Sequence, residues 1–305
     1  MTFESLMDHA FEIQKKAVQE AILDLGGRRH SLSTMSDEQR AIGAQFADIP
    51  ALYRPFSEAP DPTSFDGAIS ELRRALHVIS SGQQNQDPIN GGIYPANPVL
   101  DKLSGSESYL EDWTGAAAME FKANVIDPFP SVVRNQFIMV AVLKCALEAE
   151  KEIWIKARND IDKVAHDTLT ALERMDDCGK NEWTMAFTVV ASVAAVAAVP
   201  VTGGASLAIT AVGAASEVAA AAVPDDPPSI RFSGETPGAV ISQMREAISK
   251  LKAEIDGQEA KIAGAVSGAC ELVSGNRDLF VSKQPKLAGA TPANIRGPAY
   301  LGYSS

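Results

Sequence analysis

The chain has 305 residues, a formal net charge of −12 and 46% hydrophobic residues, enough for one large domain or two ordinary ones. Aromatic residues make up only 6% while alanine is abundant, a balance that favours helices packed through small residues over a β-sandwich. The acidic charge and the lack of a Lys/Arg cluster exclude nucleic acid as an expected partner. They also disfavour electrostatic docking on anionic lipid, so any membrane contact would have to be apolar.

Residues 1–49 predict N-terminal helices. An amphipathic pattern over residues 2–25 ends at Gly26–Gly27, and glycine is common just past a helix end because it can adopt φ > 0. A second helix is expected from Ser36, which has capping-box spacing to Gln39. The opening residues lack a basic start followed by an apolar core, so we expect no Sec-type signal peptide and either cytoplasmic residence or leaderless export.

Residues 50–63 carry four prolines and predict a rigid connector. A helix is expected over 64–81, with apolar residues at 3–4 spacing and Gly82 as its stop. Residues 83–97 are polar and rich in glycine, proline and asparagine, and therefore predict a loop.

Two long helices are predicted in the second half of the chain, over 132–175 and 236–275. Thr236 and Pro237 suit the N-cap and first position of the second helix. Because both helices repeat apolar residues at 3–4 spacing, we expect them to pack antiparallel as a coiled coil. The repeat positions are Val140, Leu143, Leu147, Glu150, Trp154, Ala157, Ile161, Val164, Thr168 and Ala171 in the first, and Ile241, Met244, Ile248, Leu251, Ile255, Gln258, Ile262, Ala265, Ala269 and Leu272 in the second.

A run of 34 residues from Trp183 to Ser216 contains no charge and lies between the two long helices. It predicts a hydrophobic hairpin over 183–224, with arms Thr184–Val199 and Ala205–Val223 and a turn at 200–204. Each arm is shorter than the roughly 20 apolar residues that a membrane-spanning helix needs. Two interpretations stay open: a buried pair capping the bundle, or an element that inserts conditionally. The expected membrane- or partner-contacting residues are Val189, Val193, Val196, Pro200, Gly203, Gly204, Leu207, Ile209 and Val212.

A Trp-x-Gly tripeptide, Trp113–Thr114–Gly115, precedes the first long helix and suits a helix–turn–helix junction. The stretch Asp112–Phe121 resembles the turn of the WXG family, helical-hairpin substrates of ESX (type VII) secretion, over about residues 64–175. The resemblance implies an exported helical protein, cytoplasmic before export and secreted or cell-surface afterwards. It implies a type VII secretion partner or a homo-oligomer, and assigns Trp113 and Gly115 to the secretion turn.

The layout of a long helix, a hydrophobic hairpin and a second long helix also resembles α-helical pore-forming toxins such as haemolysin B-type and non-haemolytic enterotoxin components. That resemblance implies a hydrophobic head, here 184–223, that is shielded in water and enters membranes after a rearrangement. An intracellular structural or scaffold protein is the third alternative.

No catalytic, cofactor-binding or metal-binding residue is predicted. The four histidines are far apart and none has metal-ligand spacing of the H-E-x-x-H kind. The acidic stretch 176–182 lacks the alternating oxygen ligands of an EF-hand, and Gly179 suits a helix stop. The three cysteines are odd in number and widely spaced, so inert thiols are expected rather than a disulfide framework.

The sequence therefore predicts an all-α fold: an elongated helical bundle with a long antiparallel coiled-coil pair and an apolar Ala/Gly-rich hairpin at its tip. The expected organisation is N-terminal helices (1–49), connector (50–63), WXG-like hairpin (64–178), hydrophobic hairpin (183–224), a long helix packing on the 132–175 helix (236–275) and a flexible tail (276–305).

Overall fold

The computed structural model describes residues 3–28, 35–104, 116–175, 183–186, 200–203, 206–209, 229–232, 236–283, 289 and 291–295. Their structure is predominantly helical, which confirms the predicted all-α class at this level. The α-helices are α1 (Phe3–Arg28), α2 (Met35–Gln45), α3 (Ile49–Ser57), α4 (Asp66–Ile79), α5 (Pro98–Ser104), α6 (Ala116–Phe121), α7 (Phe129–Glu173) and α8 (Pro237–Gly275). Short 3₁₀ turns occupy Pro62–Phe65 and Arg277–Leu279, and a π-helical turn occupies Lys122–Ile126.

The chain forms two compact units, and α7 and α8 each contribute residues to both. The first unit comprises 1–64, 150–193 and 221–260; the second comprises 65–149, 194–220 and 261–305.

The first unit has a core made by α1, α2, α3, the later part of α7 and the early part of α8. Helix α1 contacts α2 and α3. Arg245 of α8 binds Asp48 between α2 and α3, and Arg158 of α7 donates to the Pro60 carbonyl at 3.1 Å. The core side chains include Leu6, Ile13, Phe46, Ile49, Tyr53, Ile153, Ile161, Leu172, Val240, Met244 and Leu251. The hydrophobic faces predicted at 3–4 spacing are thus buried in this unit.

The second unit packs α4, the segment 80–97, the early part of α7 and the end of α8. One buried cluster joins α7 to α8 and the residues after it: Ile89, Ile138, Met139, Val142, Cys145, Ala269 and Phe280. A second cluster joins α4 to α7: Leu76, Tyr94, Phe137 and Ala141. Segment 80–97, called the strap below, contributes Ile89 to the first cluster and Tyr94 to the second, and therefore covers both.

Two short antiparallel β-pairs lie within 183–232. β1 (Trp183–Ala186) pairs with β4 (Ser229–Phe232), Trp183 opposite Phe232. β2 (Pro200–Gly203) pairs with β3 (Ser206–Ile209), Gly203 opposite Ser206. These strands correct one part of the predicted hairpin: Pro200–Gly203, expected in its turn, is a strand paired with Ser206–Ile209. Val, Ile and Thr favour extended backbone because their branched Cβ restricts χ1 in a helix.

The structure corrects part of the predicted rigid connector, whose first residues are helical, and part of the predicted flexible tail, whose first residues are ordered. Residues 50–57 continue α3, with Pro50 in its first turn, where a missing N–H is harmless, and with Tyr53 and Phe56 buried. After Gly275, Phe280 is buried at 5% exposure. Asn135 and Gln136 of α7 donate side-chain hydrogen bonds to the carbonyls of Leu279 and Phe280, at 2.8 and 2.7 Å. Buried aromatic area thus fixes both segments, the first of them despite its two helical prolines, Pro50 and Pro55.

The start of α8 follows the sequence prediction. The Ala239 amide donates to the Thr236 hydroxyl at 3.3 Å, and Pro237 is the first helical residue. Thr236 therefore acts as the N-cap and satisfies one of the unpaired amides of the first turn.

Candidate functional site

The residues predicted from sequence to carry function lie mostly outside the described part of the chain. Trp113 and Gly115 are outside it, as are Val189, Val193, Val196, Gly204 and Val212. Pro200 and Gly203 lie in β2, and Leu207 and Ile209 lie in β3. The β2–β3 pairing therefore brings together the four predicted hairpin residues that the structure describes.

The start of the uncharged segment pairs with a strand that follows the segment in the chain, β1 with β4. The chain leaves this pair after Ala186 and returns to it at Ser229, so the two ends of the intervening segment are held side by side. Among the described helices, none is long and apolar enough to cross a membrane.

A fully buried ion pair joins the strap to α7. The Asp87 carboxylate is fully buried and bonds the Lys144 ammonium, which is 1% exposed, on α7. The other Asp87 oxygen accepts the amides of Ile89 and Asn90, at 2.9 and 3.3 Å. One carboxylate therefore closes the turn of the strap and also ties that turn to α7.

The turn itself depends on a left-handed glycine. The Gly91 amide donates to the Asp87 carbonyl at 2.9 Å, and Gly91 has φ +74. The Asp87 amide donates to the Gly92 carbonyl at 2.7 Å. Gly91 adopts this conformation without the steric strain that a Cβ would add.

A second carboxylate extends the network to the surface. Glu148, one helical turn after Lys144, lies 3.6 Å from the ammonium and accepts a bond of 2.6 Å from Arg73 of α4. Asn90 of the strap also donates to Glu148, at 3.4 Å. The network of two acidic and two basic groups thus joins α4, the strap and α7 with no net charge.

Aromatic contacts complete the site. The Lys144 ammonium lies 6.0 Å from the centre of the Tyr94 ring. That ring makes edge contacts with His77 of α4 at 4.9 Å and with Phe137 of α7 at 5.8 Å. Tyr94 is held by its backbone too, because the Ser80 hydroxyl donates to its carbonyl at 3.2 Å.

The protonation states of Lys144 and Cys145 are those of residues with a structural role. Burial by itself would lower the pKa of Lys144, but its hydrogen bond to Asp87 and the nearby acidic charges raise that pKa above its ordinary value. Burial, helped by the charge of Asp87, raises the pKa of the neighbouring Cys145 to about 12. Lys144 therefore stays an ammonium and Cys145 a thiol at neutral pH, and neither is in its nucleophilic form. No cluster of His, Cys, Asp or Glu among the described residues could hold a metal ion.

Sequence reasoning missed this network, although two signals point to it. Lys144 is the single charge in the otherwise apolar stretch 137–147 of a predicted helix. Asp87 opens the sequence Asp-Pro-Ile-Asn-Gly, which is typical of a turn. A charge on a buried helix face needs a partner, and the loop supplies the carboxylate.

Comparisons with protein-family models, with curated proteins and with solved structures found no match for the chain.

Proposed function

We propose that this protein is an exported helical protein of the WXG type that acts by contacting a protein partner or a membrane. It would be cytoplasmic before export by a leaderless type VII route and secreted or cell-surface afterwards. Its partner would be a type VII secretion protein or a second copy of the chain. The buried network supports an interaction role over catalysis, because its charged groups are bonded to one another and hold the strap on α7.

The observation that carries the proposal is the way α7 and α8 flank the uncharged segment. The β1–β4 pair joins the start of that segment, Trp183–Ala186, to Ser229–Phe232, which follow it in the chain. Within the second unit, residues 138–145 of α7 pack with Ala269 near the end of α8, and the first unit groups the later part of α7 with the early part of α8. These contacts run in opposite order along the two helices, which supports an antiparallel pair; we propose that it is a coiled coil with the uncharged segment at its tip.

Export is tested in a host with a type VII system. The protein should appear in the culture medium of the parent strain and stay in cells that lack the type VII ATPase, with a cytosolic enzyme as the lysis marker. Trp113→Ala should reduce export while leaving the circular dichroism spectrum unchanged, and Thr114→Ser serves as the matched control. Equal amounts of protein in the medium with and without the ATPase would refute the route.

A membrane-inserting effector is the second candidate, favoured by the absence of charge from 183 to 216. Leakage and flotation of liposomes are measured with the full chain, with a deletion of 184–223, and with Val201→Asp. Val281→Asp is the control, because it places the same charge on a 49% exposed valine outside the segment. Insertion predicts that the deletion and Val201→Asp abolish leakage while Val281→Asp retains it.

If all four proteins leave liposomes intact, the membrane candidate fails. Hydrogen exchange then separates the remaining alternatives. Strong protection of the 184–223 amides in a stable monomer or dimer that ignores lipid would support the scaffold protein.

A further inference from the structure

The strap carries the single Asn-Gly dipeptide of the chain, Asn90–Gly91, and both residues are exposed. Asparagine is chemically labile because the backbone nitrogen of the next residue can attack its side-chain amide. A glycine in that next position, having no Cβ, leaves the nitrogen accessible. Asn90 therefore has the sequence context and the exposure that favour loss of its amide group as ammonia.

One contact of the Asn90 side chain also favours this reaction. The Gly92 amide donates to Asn90 Oδ1 at 2.9 Å. Attack on the side-chain carbon places negative charge on this oxygen, and a backbone N–H directed at it stabilises that charge. The side-chain carbonyl is thus polarised in the folded turn.

Asp87 restrains the attacking nitrogen. The Gly91 amide donates to the Asp87 carbonyl at 2.9 Å, and the Asn90 amide donates to the Asp87 carboxylate at 3.3 Å. The nitrogen attacks only after it loses its proton, so its bond to the carbonyl has to open first. Opening that carries Asp87 away from Lys144 breaks a fully buried ion pair, which is costly. The pair therefore limits how often the Gly91 nitrogen is free to react.

We propose that Asn90 is a self-modification site, deamidated by the Gly91 nitrogen when the strap opens, at a rate that the Asp87–Lys144 pair controls. The Gly91 nitrogen bonds to the side-chain carbon of Asn90, and the bond from that carbon to the side-chain nitrogen breaks. The proton of the Gly91 nitrogen passes through water to the departing group, which leaves as ammonia. Water then opens the cyclic imide at either carbonyl and gives aspartate or isoaspartate.

The product weakens the attachment of the strap. Asn90 donates to Glu148 at 3.4 Å, so the new carboxylate faces Glu148 in place of a donor. The network of two acidic and two basic groups gains a third negative charge and is no longer neutral. Isoaspartate also adds one carbon to the backbone before Gly91. The modification is irreversible and does not depend on the proposed export or membrane role.

The first test follows the full chain in mildly alkaline buffer by peptide mapping, with mass spectrometry that distinguishes aspartate from isoaspartate. Asn90 should convert, while Asn85, on the same strap but followed by the larger Gln86, stays intact over the same period. Asn90→Gln should abolish conversion at this position, because its ring closure takes one more atom. Conversion of Asn90 no faster than that of Asn85 would overturn the proposal.

The second test examines control by the ion pair. Lys144→Met should speed Asn90 conversion at least about tenfold, since breaking a buried pair costs more than the roughly 1.4 kcal/mol that a tenfold change in opening represents. Arg74→Gln, which removes the exposed pair with Glu71, is the matched control and should leave the rate unchanged. An unchanged rate in folded Lys144→Met would refute control by the pair.

If Lys144→Met does not fold, the wild type in urea below its unfolding transition replaces it. Asn90 conversion and hydrogen exchange of the Gly91 amide should then accelerate together, because both need the same opening. Exchange that rises while conversion stays constant would count against the mechanism.

Asn90→Asp reproduces the aspartate product and tests its consequence. The Tyr94 amide, which donates to the Asn85 carbonyl at 2.8 Å across the strap, should exchange hydrogen faster in this variant. The increase should be up to about fivefold, the range for partly exposed charges. Asn90→Gln is the control because it keeps a neutral amide, and equal exchange in the two variants would show that the product leaves the strap attached.

Discussion

The Lys144 ammonium and the Asp87 carboxylate form a fully buried ion pair that ties the strap to α7. Removing both charges from water is costly, and the cost is recovered only when every remaining polar atom is also bonded. Here the second Asp87 oxygen takes two backbone amides, and Glu148 lies beside the ammonium. Removing one partner would strand the other as an uncompensated buried charge.

Lys144→Met and Asp87→Asn should each lower the free energy of unfolding by about 3–5 kcal/mol, the range for breaking a buried pair. Urea denaturation followed by circular dichroism gives the values. Arg74→Gln is the control, because the Arg74–Glu71 pair is exposed on both sides and should contribute less than about 1 kcal/mol. A loss of under about 1 kcal/mol for both buried-site variants would show that water replaces the missing partner.

The helical part of the fold was predictable because its signals are local. Apolar residues at 3–4 spacing and the Thr236–Pro237 start fix α7 and α8 with little help from the rest of the chain. Residues 50–57 were not predictable in this way, because their four-proline context favours a connector while Tyr53 and Phe56 gain more from burial against α1. Propensity is a weak prior where tertiary contacts decide.

The candidate site was less predictable for the same reason. Asp87 and Lys144 are 57 residues apart, and no local sequence pattern predicts that the loop packs against the helix. The interrupted apolar face predicts that Lys144 needs a partner, but several carboxylates in the chain could have supplied it.

Arg245 should stabilise the first unit in a pH-dependent way. Its guanidinium donates two hydrogen bonds to the Asp48 carboxylate, at 2.7 and 3.0 Å, and one to the Gln45 carbonyl at 2.9 Å. The hydrogen bond from Arg245 holds the pKa of Asp48 below its ordinary value. This stability is present above the unfolded pKa of the carboxyl and is lost as the pH falls through the folded one.

Arg245→Ala should therefore lower the free energy of unfolding by up to about 1 kcal/mol at neutral pH, since both side chains are partly exposed. The difference from the wild type should shrink as the pH falls below about 4, measured by urea unfolding at several pH values. Arg40→Ala, which breaks the exposed pair with Asp37, is the control and should change stability by a few tenths at most. A difference that is constant with pH would contradict the role of Asp48.

Cys145 and Cys270 should differ sharply in thiol chemistry. Cys145 is buried with a pKa raised to about 12, whereas Cys270 is exposed on α8. Because the thiolate is the reactive form, iodoacetamide at mildly alkaline pH should alkylate Cys270 and spare Cys145 in the folded chain. Peptide mapping by mass spectrometry identifies each site, and both should react in urea. Equal rates in the folded protein would mean that the second unit opens readily at α7.

Tyr53 tests what a buried hydroxyl contributes to the first unit. Its side chain is fully buried and burial raises its pKa above the ordinary value. Among the described residues Thr168 is the polar group that acts on it, but the phenol oxygen does not reach hydrogen-bond geometry, and the Thr168 hydroxyl already donates to the Val164 carbonyl at 2.7 Å. The ring should therefore stabilise the core while the hydroxyl contributes little.

Tyr53→Phe should change the free energy of unfolding by less than about 0.5 kcal/mol or raise it, since it removes a polar atom that gains nothing from burial. Tyr53→Ala should lose about 3–5 kcal/mol through the cavity it leaves between α3 and its neighbours. Thermal and urea unfolding give both values. A loss of about 1–3 kcal/mol for Tyr53→Phe would instead show a working hydrogen bond to Thr168, which would join α3 to α7 by a polar contact as well as by packing.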